Sequence, residues 1–89
     1  MDAIVTVVGK DRVGIIAGVT QALSASGVNI LSISQTILEE YFTMIMKVDI
    51  SQLSVDRKTL NGRLEAEGHQ LGVQITLIHE EVLKAMHRI

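Results

Sequence analysis

The stretch VVGKDRVGII, residues 7–16, predicts a strand that turns sharply into a helix. The β-branched run from Ala3 to Val8 is apolar on both sides, which is typical of a central strand. The residues from Gly9 to Arg12 end that strand. Small and apolar residues then recur at helical spacing, which predicts a helix over residues 13–26 with Asp11 or Arg12 at its start. Gly27 follows where a left-handed C-terminal cap is expected.

Two alternating runs follow this helix and predict a hairpin. Residues 28–39 and 41–50 each alternate between apolar and polar side chains, and Glu39-Glu40 forms a short polar join between them. On the second run, the side that carries Phe42 and Met44 is the more apolar one. We expect that side to face the core.

The remaining third of the chain predicts a helix, a strand and a short terminal helix. Ser54 is the expected N-cap of the helix, with Asp56 in its first turn, and the helix is expected to end near Gly68 or Gly72. The alternation that begins at Val73 predicts the last strand. Residues 80–88 predict a short C-terminal helix with one apolar side.

The order of these elements predicts a single α+β domain over residues 1–89. The βαββαβ order is the ferredoxin-like arrangement, a four-stranded antiparallel sheet with two helices on one face, here followed by the short C-terminal helix. The other face of the sheet carries Ile45 beside Thr43 and Lys47, which is too apolar a pattern for free solvent. We expect that face to be a dimer interface.

Composition excludes several classes of function. The chain has no cysteine, which excludes disulfides, thiol catalysis and thiolate metal sites. Its formal net charge is −2 and no Lys/Arg cluster is present, so we expect no nucleic-acid partner. No apolar run is long enough to span a membrane, and nothing resembles a signal peptide, so we expect a cytoplasmic protein with no membrane partner.

The sequence shows neither the ligand spacing of a metal site nor a convincing set of catalytic residues. His69, His79 and His87 lack the spacing of metal ligands, and we expect no metal and no cofactor. An acylphosphatase-like enzyme of this fold would need an Arg for phosphate and an Asn for water, for which Arg12 and Asn29 are nominal candidates. Asp11 stands beside Arg12 and would repel an anion. We therefore expect no catalysis.

The loop before the first helix holds the strongest candidates for a ligand site. Gly14, placed inside the first helical turn, lowers helix stability by about 1 kcal/mol relative to Ala, so its presence suggests close approach of a ligand or another chain. Asp11 either caps the helix or binds a ligand's ammonium group. Asn29 either completes a turn at the start of a strand or contacts a ligand.

Residues 7–16 together with LSASGVNI, residues 23–30, resemble the ACT domain. The likeness rests on Asp11-Arg12-x-Gly14 and then on Gly27-x-Asn29-Ile30. Within that family, the chain resembles the standalone bacterial type of ACT domain that is related to the glycine-cleavage repressor. The resemblance implies a βαββαβ fold, homodimers built by pairing sheets or stacking helices, and regulation by amino acids or other small molecules bound between subunits.

The resemblance also implies which residues would form the ligand site. Asp11 falls where such domains often place a polar group toward the ligand, and Gly14 falls at the glycine that admits the ligand. Asn29 falls where an amide can bond an amino acid held by the facing subunit. Backbone groups of Val13 and Ile15 would complete the pocket, and Arg12 lies in the same loop.

Two functions remain open from the sequence. The first is a sensor, in which a homodimer binds an amino acid or similar metabolite and passes the signal to a regulated protein partner. The alternative is a ligand-free interaction module that acts through the exposed sheet face and the C-terminal helix.

Overall fold

A computed structural model of the chain describes residues 2–10 and 13–82. The elements follow in the predicted order: β1 (Asp2–Lys10), α1 (Ile15–Ala25), β2 (Asn29–Leu38), β3 (Tyr41–Asp49), α2 (Arg57–Leu71) and β4 (Val73–His79). Residues 80–82 continue from β4 as a helical turn. The candidates Asp11 and Arg12, and residues 83–89 of the predicted C-terminal helix, lie outside the described residues.

The four strands form one antiparallel sheet in the order β2-β3-β1-β4. This order confirms the ferredoxin-like fold, and it confirms β1 as a central strand, paired with β3 on one side and β4 on the other. β2 and β4 are the edge strands. A register shift between Ile30 and Ser32 marks a β-bulge in β2. Within the described residues, no helix has the length and apolarity needed to cross a bilayer.

The core lies between the sheet and its two helices. Alternate residues of β1 and β3 are buried there, which confirms the predicted Phe/Met side of β3 as its core face. The strands and helices contribute the following buried side chains: Ala3, Val5, Val7, Ile15, Val19, Leu23, Phe42, Met44, Met46, Val48, Leu60 and Leu64. The side chains between them on β1 and β3 point to the other face of the sheet, as strand geometry requires.

The start of α1 differs from the prediction. The helix begins at Ile15 instead of residue 13, and its N-cap is Gly14 instead of Asp11 or Arg12. Gly14 has φ 92° and ψ −1°, a left-handed conformation that lies outside the helix. At the other end, Gly27 has φ 79°, which confirms the predicted left-handed residue after the helix.

The start of α2 also differs from the prediction, because Asp56 and not Ser54 is the N-cap. The Asp56 carboxylate accepts a hydrogen bond from the backbone N–H of Thr59 at 2.9 Å. Hydrogen bonds from the side chain and backbone of Thr59 lower the pKa of Asp56 below its ordinary value of 3.8. The hydrogen bond satisfies one of the amides that a helix N-terminus leaves free.

Of the two glycines that could end α2, Gly72 is the cap, with φ 74°. Gly68 lies inside the helix for a different reason. A Cβ at Gly68 would lie 2.7 Å from the backbone oxygen of Val73, so glycine lets the helix approach the start of β4 closely.

Candidate functional site

Val13 and Gly14, the described residues between β1 and α1, are both exposed. Among the residues that the structure describes, no atom lies within 4 Å of a Cβ built on Gly14. The close approach of a ligand or another chain to Gly14 therefore stays a prediction. Glycine suits this position because of its positive φ, and no atom of the described residues fills the space beside it.

The N-terminus of α1 has donors that no described side chain uses. The first helical hydrogen bond runs from the N–H of Gly18 to the oxygen of Gly14, at 2.9 Å. Within the described residues no side chain caps the helix, and no acidic residue lies in its first turn. The amides that precede Gly18 thus carry the positive end of the helix dipole toward the loop, an arrangement that favours a carboxylate or another anion.

Ile15 can take part in such a site only through its backbone. Its side chain is buried in the core, whereas its amide belongs to the first turn of α1. Val13 likewise offers its backbone beside an exposed side chain. This geometry is compatible with the backbone role that the family resemblance implies for both residues.

Asn29 lies at the opposite end of the sheet from Gly14. Asn29 is paired with Asp49, which is paired in turn with Asp2 at the start of β1. The loop leaves from the other end, where Lys10, Tyr41 and Leu38 are aligned. The ten residues of β2 span about 30 Å at the usual rise of a strand. One protomer therefore does not bring Asn29 to the α1 loop.

The edge strand β2 lies between these two ends and is unusually unprotected. Its sequence NILSISQTIL contains no charged residue and no proline. Four large apolar side chains are exposed along it: Leu31, Ile33, Ile37 and Leu38. Edge strands normally carry charges, prolines or short lengths that prevent pairing with another strand, and β2 has only its bulge at Ile30/Ser32. β2 therefore has the features of a strand that pairs with another chain.

A groove lies elsewhere, between α2 and the edge strand β4. It has a volume of about 720 Å³ and is lined on α2 by Asn61, Glu65 and His69, with Leu64 and Gly68 between them, and on the other side by residues 73–77. The sequence alone does not predict this groove. Its one signal is the pair Gly68 and Gly72, which the sequence pattern offers as alternative ends of the helix.

Comparison with known proteins settles the family. The family model described as ACT domain matches residues 2–77. The chain belongs to the ACT domain family. It is 51% identical over 86 residues to a UPF0237 protein of Methanocaldococcus jannaschii, covering 97% of this chain and 96% of that protein. The structure of an ACT domain protein from Streptococcus pneumoniae matches with a TM-score of 0.82 at 45% identity, covering 98% of both chains.

These relatives confirm the resemblance to ACT domains, and their length matches that of a standalone ACT domain. At the level of fold alone, the regulatory subunit of aspartate kinase from Thermus thermophilus matches with a TM-score of 0.64 at 24% identity, over 85% of this chain and 49% of that one. Membership places the chain among small regulatory domains of the ligand-binding type.

Proposed function

We propose that the chain is an amino-acid-sensing regulatory domain whose ligand site is shared between the two subunits of a homodimer. One observation carries the proposal. The two parts of the predicted site, the α1 loop and Asn29, lie at opposite ends of β2, and β2 is the edge that lacks protection against pairing.

Antiparallel pairing of β2 with its copy solves the geometric problem. If the twofold axis passes at Ser34, the β-bulge between Ile30 and Ser32 supplies the extra residue that brings Asn29 of the partner subunit beside Leu38, at the end of the sheet where the α1 loop lies. The result is an eight-stranded sheet with four helices on one face. Each of its two equivalent sites then contains one α1 loop and one Asn29 from the other subunit.

The chemistry of this shared site suits a zwitterion. The amides at the N-terminus of α1, which no described side chain caps, suit the carboxylate of an amino acid. The Asn29 amide can both donate to and accept from the ligand. Asp11, which lies outside the described residues, has the carboxylate that an ammonium group needs. None of these groups forms a nucleophile–base pair, and we expect no catalysis.

A shared site also provides a means of regulation. A ligand that contacts both subunits binds one dimer geometry more tightly than another, and it shifts the population toward that geometry. We expect the dimer, in the geometry that the ligand favours, to act on a regulated protein partner.

A calorimetric screen of the twenty amino acids tests this function. We expect one or a few to bind, and Asn29→Ala to weaken that binding about tenfold or more, because a buried hydrogen bond to a charged ligand contributes about 1.5–3 kcal/mol. Asn61→Ala is the matched control, because Asn61 is an exposed Asn on α2 that belongs to the β4 groove. The proposal fails if no amino acid binds or if the two Asn variants behave alike.

Mixed subunits test whether the site is shared. Val13→Glu places a negative charge at a fully exposed loop position, where it should repel a carboxylate without disturbing the core. Dimers of Val13→Glu and dimers of Asn29→Ala should each bind poorly. A mixed dimer carries both defects in one site and none in the other, so each mixed dimer should recover one of its two sites. Because random exchange makes about half of the dimers mixed, mixing should restore about a quarter of the total binding capacity. Without restoration, the site belongs to one protomer.

A further inference from the structure

The sheet face opposite the helices is an uncharged surface with a charged border. Ile4, Thr6 and Val8 of β1 lie on it, in register with Lys47, Ile45 and Thr43 of β3. Val8 and Ile45, on the two central strands, are each 49% exposed. The outer strands add uncharged side chains in the same rows: Ser32, Ser34, Thr36, Gln74, Thr76 and Ile78.

Charges on this face are confined to the two ends of the sheet. Asp2 and Lys47 form an ion pair of 3.5 Å near one end, and Lys10 lies at the other end. Asp49 lies beside Asp2 in the register. A centre without charge and a polar border is the pattern of a protein–protein interface. Within residues 2–10 and 13–82, no helix or loop buries Val8 or Ile45.

The area of the face indicates what can cover it. Four strands spaced about 4.8 Å apart, each contributing about 25 Å of length, give roughly 500 Å² per protomer. A stable interface needs about 800 Å² from each partner, so one protomer's face is too small. The eight-stranded sheet of the proposed dimer offers roughly 1,000 Å², which is sufficient.

We infer that two such dimers stack through this face, so that the chain assembles as a tetramer with a sheet-on-sheet interior. This inference rests on the proposed β2 dimer, because only the doubled sheet supplies the area. The stacked sheets lie about 10 Å apart, and Val8 and Ile45 of each chain fill the centre of the contact. Assembly therefore proceeds in a fixed order, first through the β2 edge and then through the sheet face.

Sedimentation velocity of the full chain and three variants tests the stacking. The wild type should sediment as four chains of 9.7 kDa. Ile45→Glu and Val8→Glu each place carboxylates at the centre of the contact, and each should sediment as a dimer, with a rise of at least about tenfold in the tetramer dissociation constant. Val82→Glu is the matched control, because Val82 is also 49% exposed but belongs to no strand of the sheet. It should remain a tetramer.

The other outcomes separate this inference from the proposed function. A dimeric wild type that Ile45→Glu leaves dimeric overturns the stacking and leaves the β2 dimer standing. A monomeric Ile45→Glu, with circular dichroism like that of the wild type, makes the sheet face the primary dimer contact and overturns both. A tetramer that neither Ile45→Glu nor Val8→Glu weakens shows that another surface holds the dimers together, and this also overturns the inference.

Discussion

Gly14 is the residue on which the geometry of the site depends. Its left-handed φ of 92° sets the direction in which the chain enters α1, and no described atom lies within 4 Å of a Cβ built on it. A residue with a Cβ is destabilised in this conformation even where no neighbouring atom is close. The backbone conformation thus explains why the residue is a glycine. The space beside it follows from the absence of a side chain.

Gly14→Ala should lower the free energy of unfolding by about 1–2 kcal/mol, the cost of a left-handed conformation for an L-residue. Gly62→Ala is the control, because Gly62 lies inside α2, has no positive φ and has free space around its Cβ position. That substitution should raise stability by about 1 kcal/mol through helix propensity. Urea unfolding of both variants checks the pair, and equal effects of the two would contradict the account of Gly14.

The identity of the candidate residues could be predicted from the sequence, but their conformations could not. The glycine between Val13 and Ile15 is visible as a break in an apolar run, and so is Asn29 at the start of an alternating run. The sequence pattern predicts Gly14 inside the helix, because a glycine can occupy either side of a helix boundary. Only the backbone angle distinguishes the two positions.

At the scale of the element, the Asp56 cap makes the stability of the start of α2 depend on pH. Hydrogen bonding from Thr59 lowers the pKa of Asp56, so the folded state binds its proton less tightly than the unfolded chain does. The stabilisation from this cap is complete above the ordinary pKa of 3.8, and it is lost as the pH falls through the lower pKa of the folded state.

Asp56→Ala should therefore lower the melting temperature at pH 7, and the difference from the wild type should shrink as the pH falls below 3.8. Asp56→Asn keeps an N-cap side chain that does not titrate, so its melting temperature should stay close to that of the wild type at pH 7 and depend less on pH below 4. Circular dichroism melts from pH 7 to pH 2.5 measure all three. A difference that is constant across this range would exclude the ionised cap.

The second prediction at this scale concerns the edge strand β2 as the dimer contact. Ile33→Lys should convert the dimer to a monomer, because a twofold axis near Ile33 brings the two charges together across the edge. Ile33 is 47% exposed, so the protomer should fold as before. Val82→Lys, at an equally exposed position outside the sheet, should remain associated. Light scattering coupled to size exclusion gives the masses, and an unchanged mass for Ile33→Lys would exclude β2 as the contact.

Alternation identified β2 as a strand but did not show which of its sides is covered. Ile33 and Ile37 lie in register with the buried Met46 and Phe42, on the same face as the helices, yet both are about half exposed. The strand extends past the edge of the helix layer. The alternation of its ten residues does not show how much of the strand the helices cover. The exposed edge becomes apparent only when the strand order is known.

At the scale of the whole molecule, the order of elements was sufficient for the fold. Strands and helices with clear periodicity, joined by short connections, leave few topologies, and the right-handed crossover places both helices on one face. The site is different in kind, because one protomer keeps Asn29 and the α1 loop at opposite ends of β2, and only the proposed pairing of two chains would bring them together. A groove such as the one between α2 and β4 also depends on the separation of packed elements, which a single sequence does not state.

The whole account depends on pairing of β2 with its own copy, and cross-linking tests that pairing without any ligand. The chain has no cysteine, so single variants Asn29→Cys and Leu38→Cys each carry one thiol at an exposed position. In a mixture of the two treated with a short bis-maleimide, the account predicts an efficient cross-linked heterodimer, because Asn29 of one subunit lies beside Leu38 of the other. If the mixture yields no heterodimer while both variants remain dimeric, β2 does not form the interface, and the shared site does not exist.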